Sequence, residues 1–135
     1  MSKPVPAING DTVEFWRGCN AERLLYQHCE TCGHVQFPPR SLCVKCHGRG
    51  LAWRESARRG HIHSFTVVHR PPTAAFKADV PYVLALVDLD EGFRIMCNLI
   101  GCPPEKAAIG LAVRITFEAR GEGEARQLVP QAMAA

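Results

Sequence analysis

Four of the seven cysteines stand in two pairs of equal spacing, Cys29 with Cys32 and Cys43 with Cys46, and ten residues separate the pairs. Each pair sits in a short turn, Cys29-Glu30-Thr31-Cys32-Gly33 and Cys43-Val44-Lys45-Cys46-His47-Gly48. Two such knuckles bring four thiolates to the corners of a tetrahedron, the arrangement that Zn²⁺ accepts most readily. Gly33 and Gly48 follow the second cysteine of each knuckle and are expected to supply the positive φ that folds the backbone over the ion. A single pair at this spacing would leave a redox disulfide open, whereas the doubled pattern points to a metal. The expected cofactor is therefore a structural Zn²⁺, with iron in the same cage as the alternative. An ion closed in by four thiolates has no free position for activating water, so its role is to hold a fold.

The elements that must position these sulfurs are short. Residues 23–28, Arg-Leu-Leu-Tyr-Gln-His, read as a strand into the first knuckle, and Val35-Gln36-Phe37 as the return strand, ended by Pro38-Pro39-Arg40. Such a ribbon has too little apolar interior to stand without its ion, so metal loss is expected to unfold it. Ahead of it, residues 1–10 are a loose lead-in. Asp11 or Thr12 is placed to cap a short helix carrying Val13, Phe15, Trp16 and Cys19. A helix of that length needs a surface to bury against.

After Gly50 the pattern turns to short strands: 51–55, 61–69, 82–89, 93–99, 113–118 and 127–129, followed by an Ala-rich tail. Asp90-Glu91-Gly92 makes a tight hairpin turn, and Gly101-Cys102-Pro103-Pro104-Glu105 breaks the sheet and opens one helical turn. The fold class expected is mainly β: an N-terminal short helix (residues 1–22), a rubredoxin-like zinc ribbon (23–50) and a five-stranded OB-fold barrel (51–135). An SH3-like barrel is the alternative.

Composition narrows the function. With 21% charged and 47% hydrophobic residues the chain is an ordinary globular one, and a net charge of +3 is too mild to call for nucleic acid or an anionic membrane. The start Met-Ser-Lys-Pro-Val-Pro lacks the apolar stretch of an export signal, and no run is long enough to span a bilayer. A reducing cytoplasm is expected, where paired cysteines serve as metal ligands. Cys19, Cys97 and Cys102 are left over and read as small buried hydrophobes.

The ordered residues Phe15-Trp16-Arg17-Gly18-Cys19, Leu24, Gln27, the two knuckles, Phe37-Pro38-Pro39-Arg40, Gly60, Ser64-Phe65-Thr66-Val67-Val68-His69-Arg70, Pro81-Tyr82, Ala85-Leu86-Val87-Asp88-Leu89, Gly92 and Ile109-Gly110 resemble the DUF35 family. The resemblance implies a helical segment, a zinc ribbon and an OB-fold in that order. It also implies a small non-catalytic subunit beside a thiolase-superfamily enzyme, aldolase or acyl-CoA hydratase, where it helps to bind the CoA part of the substrate. Two features depart from the family: Val44-Lys45 stand where a proline is more usual, and these 135 residues include no hydratase domain, which leaves the partner open.

A CoA binder needs cations beside an apolar slot. Arg58, Arg59, Arg70 and Lys77 are the candidates for the CoA phosphates. Phe15, Trp16, Pro38, Pro39, Arg40 and Phe76 are the candidates for a partner interface. Two other readings are weighed against this one. A single-stranded nucleic-acid binder would need aromatic platforms among basic residues, and aromatics are only 7% of the chain. An independent enzyme would use His61, His63 or His69, which strict alternation puts on one strand face; the same alternation also describes a plain solvated face.

Overall fold

The computed structural model describes residues 3–135. Met1 and Ser2, the start of the lead-in and of the 1–22 segment, lie outside the described residues. The chain runs α1 (Val13–Asn20), β1 (Leu25–Cys29), β2 (Val35–Gln36), β3 (Leu51–Glu55), β4 (Arg59–Val68), β5 (Tyr82–Leu89), β6 (Arg94–Ile100), β7 (Ala112–Arg120) and β8 (Gln127–Ala134). Thr12 occupies the cap position of α1 but makes no side-chain cap bond. Asn9 does that work instead: its Oδ1 accepts the N–H groups of Asp11 and Thr12 at 3.0 and 3.1 Å.

The strands form two sheets. The first has the order β2-β1-β3, all antiparallel, and carries the first knuckle at the end of its central strand. Strand β3, which its place after Gly50 groups with the barrel, is bonded to β1 along its whole length, from Leu25 against Glu55 to Cys29 against Leu51. The second sheet is a closed barrel of order β4-β5-β6-β8-β7, and β7 returns to β4. Five strands in this order make the OB-type barrel, and the brief helical turn between β6 and β7 is a 3-10 turn at Pro104–Lys106.

Alternation fills the barrel. Val83, Ala85, Val87 and Leu89 of β5 point inward against Ile95, Cys97 and Leu99 of β6 and Val113 and Ile115 of β7. At Gly60 the backbones of β4 and β5 pass so closely that a Cβ would strike the Asp88 carbonyl. The ribbon leans on this core through a knot of rings. Tyr26 stacks on Phe93 with centroids 4.8 Å apart, while Phe37 meets Phe15 at 5.0 Å and Phe93 at 5.9 Å.

The last strand is longer than the sequence pattern suggests. Residues 130–134, read as part of an Ala-rich tail, continue β8 and pair with both β7 and β6. Small side chains there are no obstacle, because Ala132 is packed inside the barrel with no exposed surface.

Candidate functional site

The sulfurs of Cys29, Cys32, Cys43 and Cys46 all lie within 4.8 Å of one another. Cys29 and Cys46 are 3.7 Å apart and Cys32 and Cys43 3.6 Å. Four sulfurs each about 2.3 Å from a central ion would sit about 3.8 Å apart, so the donor set and its dimensions suit a tetrahedral ion.

The two knuckles repeat one hydrogen-bond pattern. The N–H of Cys29 donates to His34 O and that of Cys43 to Gly48 O, at 2.8 and 3.0 Å. The residue after each second cysteine donates back, Gly33 to Cys29 O at 2.8 Å and His47 to Cys43 O at 2.9 Å. Gly33 takes the positive φ expected of it, 78°. In the second knuckle that conformation falls on His47, φ 62°, and not on Gly48. Gly48 matters for room: a Cβ there would stand 3.3 Å from the Cys46 sulfur.

Backbone N–H groups aimed at sulfur tune the thiols. That of Cys32 lowers the Cys29 pKa; burial opposes it, and the Thr31 N–H and the Cys32 and Cys46 thiols add to the lowering, leaving it at about 6. Cys43 is lowered in the same way, first by the Cys46 N–H. For Cys46 the Gly48 N–H lowers the value, but burial and the thiols of Cys29, Cys43 and Cys32 together push it up to about 11. Four sulfurs this close could all be thiolates only with a cation between them.

Two buried glutamines tie the knuckles to the sheet. Gln27 Oε1 accepts the Arg40 N–H at 2.9 Å, and its Nε2 donates to Arg40 O at 2.8 Å. Gln36 donates from Nε2 to Gln27 Oε1 and to Leu42 O, and its Oε1 accepts the Val44 N–H at 3.0 Å. The loop between the cysteine pairs is thus held by side chains that cross the hairpin. Gln27 and Gln36 stood in the expected strands, but only their inward direction reveals this use.

The remaining candidates scatter. Arg58 and Arg59 sit at the start of β4, and Arg70 and Lys77 follow its other end; ten residues of strand, about 33 Å of path at about 3.3 Å each, separate the two pairs. They do not form one cluster. Arg58 lies over the Phe117 ring at 5.6 Å, while Arg70 and Lys77 are exposed. Of the three histidines, His61 and His63 are exposed on either side of the buried Ile62, while His69 lies beyond the strand, past a register slip between Ile62 and Ser64. His63 and Asp88 face each other at 3.3 Å. Arg94 holds the Asp88 carboxyl below the ordinary carboxylate range.

Among the interface candidates, Phe15 is only 3% exposed and serves the chain's own core. Pro39 is buried, Phe76 and Trp16 are half-buried, and Pro38 and Arg40 are exposed. Cys19 and Cys97 are buried and their pKa values are pushed up to about 12 by that burial, as befits inert thiols; Cys102 is only half-buried.

Trp16, Pro38 and Pro39 wall a groove of about 730 Å³ whose floor is the outer face of β5 and β6, with Leu84, Leu86 and Met96 upon it. The signal for this was present in β5: Val83-Leu84-Ala85-Leu86-Val87 is apolar on both faces, whereas a strand with one solvated face alternates. The half-buried Trp16 and Phe37 also line this groove.

A paired-knuckle ribbon joined to a five-stranded OB barrel defines a class of protein, and comparison with known proteins agrees. Two domain-family models match, "ChsH2, rubredoxin-like zinc ribbon domain" over residues 16–52 and "ChsH2, C-terminal OB-fold domain" over 53–118. A DUF35 domain-containing scaffold protein of Methanothermobacter thermautotrophicus is 38% identical over 117 residues, 84% of this chain and 87% of that protein. The chain belongs to the DUF35 family. A protein of Thermomonospora curvata named "Probable enoyl-CoA hydratase alpha subunit" is 39% identical over 82% of this chain, which spans about a third, 34%, of that relative's length. The solved structure titled "Ltp2-ChsH2(DUF35) aldolase" superposes with a TM-score of 0.82 at 33% identity, covering 96% of this chain and 98% of that one.

Proposed function

We propose that this protein is a non-catalytic accessory subunit that docks onto a thiolase- or aldolase-like enzyme, or an acyl-CoA hydratase, and helps to bind its acyl-CoA substrate. The observation that carries the reading is the fit over nearly the whole chain to the DUF35 chain of the Ltp2-ChsH2 aldolase structure. Relatives named as DUF35 domain-containing scaffold proteins and as a benzoylsuccinyl-CoA thiolase subunit support an accessory role.

Cys29, Cys32, Cys43 and Cys46 would hold a structural Zn²⁺, which supplies folding energy and no reaction step. In this reading residues 1–22 form the helical segment, 23–50 the ribbon and 51–135 the barrel, with β3 contributed to the ribbon's sheet. Arg58 with Arg59, and Arg70 with Lys77, are two separate candidate contacts for CoA phosphates. Trp16, Pro38 and Arg40 are candidates for the partner. A single-stranded nucleic acid is the other ligand class an OB barrel suggests, on fold analogy alone. The reading places the protein in the cytoplasm; no helix among the described residues is long and apolar enough to cross a membrane.

The test has two arms. The protein is isolated from its native cells with whatever accompanies it, and the purified metal-loaded chain is assayed alone against enoyl-CoA and β-ketoacyl-CoA substrates. Stable association with a thiolase-, aldolase- or hydratase-type subunit supports the reading. Turnover by the isolated chain overturns it.

A further inference from the structure

The barrel's seam between β6 and β8 is closed at one end only. Strand β6 pairs with β5 over six residues, Val83 against Leu99 through Asp88 against Arg94, but meets β8 only at Leu99 and Ile100. In an antiparallel pair a strand's backbone groups alternate between its two neighbours. The N–H of Asn98 points away from β5 and is taken by Gln131 Oε1 at 2.8 Å. By the same alternation the N–H and C=O of Arg94 and Met96 face the groove. On the opposite wall stands Pro130, paired with Phe117 of β7 and lacking an N–H, so β8 cannot zip onto this part of β6.

A free strand edge of about five residues beside an apolar floor is a template for another strand. The chemistry around it narrows the occupant. Leu84, Leu86 and the 66% exposed Met96 would accept apolar side chains at alternate positions. Of the two arginines lining the groove, Arg94 is already engaged by Asp88 at 2.6 Å. Arg120 forms an ion pair with Glu118 at 3.6 Å and lies over the Phe76 ring at 5.8 Å, but its buried Nε has no hydrogen-bond partner. An acyl chain would cover the floor but leave the backbone edge of β6 unbonded. A polypeptide strand satisfies both.

We infer that the β6–β8 seam receives an extended segment of the partner subunit by strand addition, a segment with alternating apolar residues and an acidic residue that pairs with Arg120. This rests on the docking role proposed above. The probe is the peptide acetyl-Glu-Val-Thr-Val-Thr-Val-amide, titrated into the isotope-labelled, metal-loaded full chain. Two controls accompany it: the same peptide N-methylated at alternate residues, and decanoyl-CoA.

The expected result is amide exchange at Arg94 and Met96 slowed about tenfold or more by the first peptide and unaffected by the methylated one. Arg120→Gln is expected to weaken the peptide about tenfold, a charge-assisted contact being lost. If that variant misfolds, the methylated control on the wild type decides. Unchanged exchange at Arg94 and Met96 overturns the inference, and perturbation of Leu84, Leu86 and Met96 by decanoyl-CoA alone reassigns the groove to an acyl chain. The two readings fail separately. Exchange at Arg94 and Met96 that stays fast within a complex with a thiolase-, aldolase- or hydratase-type subunit sinks strand addition alone. Peptide binding by a chain that associates with no such subunit sinks the docking role alone.

Discussion

The ribbon and the barrel are both small β structures, yet they are held by different means. The barrel encloses Ile62, Val83, Val87, Val113 and Ile115 at 2% exposure or less, and every strand contributes to one interior. Burying such side chains is worth about 1.5–3 kcal/mol each before the entropy of ordering them is set against it. The second knuckle and its flanks, residues 40–50, bury a single hydrophobic residue, Cys43. What holds that stretch is the four-sulfur cage and the Gln27–Gln36 bonds, so directional chemistry replaces packing there. The boundary between the two regimes is the ring knot of Tyr26, Phe37 and Phe93.

Removing the metal should separate the two regions most sharply. Chelation, or Cys43→Ala, is expected to unfold β1–β3 and the knuckles while the barrel amides keep their native spectrum, because binding at such sites amounts to about 10–16 kcal/mol of folding energy. Acid should reach the same end. The Cys29 pKa is lowered to about 6 from an ordinary 9.0, so its contribution is present at high pH and is lost as pH falls through the folded value. Metal release followed by a chromogenic chelator is therefore expected to increase as the pH is lowered, because protons compete with the ion for the sulfurs. A ribbon that stays folded without metal would erase the contrast.

Ile115→Ala tests the other side. It removes a fully buried barrel side chain and should cost about 2–5 kcal/mol in denaturant melts, with metal affinity unchanged. Gln36→Leu is expected to have a smaller effect confined to the ribbon. It strands the Val44 N–H and should cost about 1–3 kcal/mol and weaken metal retention in chelator competition, with the barrel core unaffected. The smallest change belongs to the exposed Arg23–Glu55 pair, 2.9 Å apart; Arg23→Ala should shift stability by less than about 1 kcal/mol. A larger loss there would show that surface charge, and not only the cage, holds β1 to β3.

Much of this was readable from residue types. The cysteine spacing gave the cage, Gly33 its turn, and the apolar run 82–89 with the Asp90-Glu91-Gly92 turn the central hairpin of the barrel. The misreadings have physical causes. Residues 130–134 lack β-branched side chains and contain Pro130, so local propensity reads them as tail, although the barrel needs them as its fifth strand. Leu51–Glu55 looks like any barrel strand, and only pairing with β1 assigns it to the ribbon. The slip at His63 changes which residues of β4 face outward, and no period-two reading anticipates a bulge.

By itself the sequence determined what depends on chemical type and short spacing: which atoms can ligate an ion, where the chain turns, and which family it resembles. The tertiary structure alone decided which surfaces meet. It buried Phe15, sent Arg58 and Arg70 to opposite ends of β4, and left β6 half-paired beside an apolar groove. Ligand identity is local, because a few consecutive residues carry it. Adjacency in space is set by strand pairing between distant segments, and those contacts are chosen by the collective packing of the whole chain.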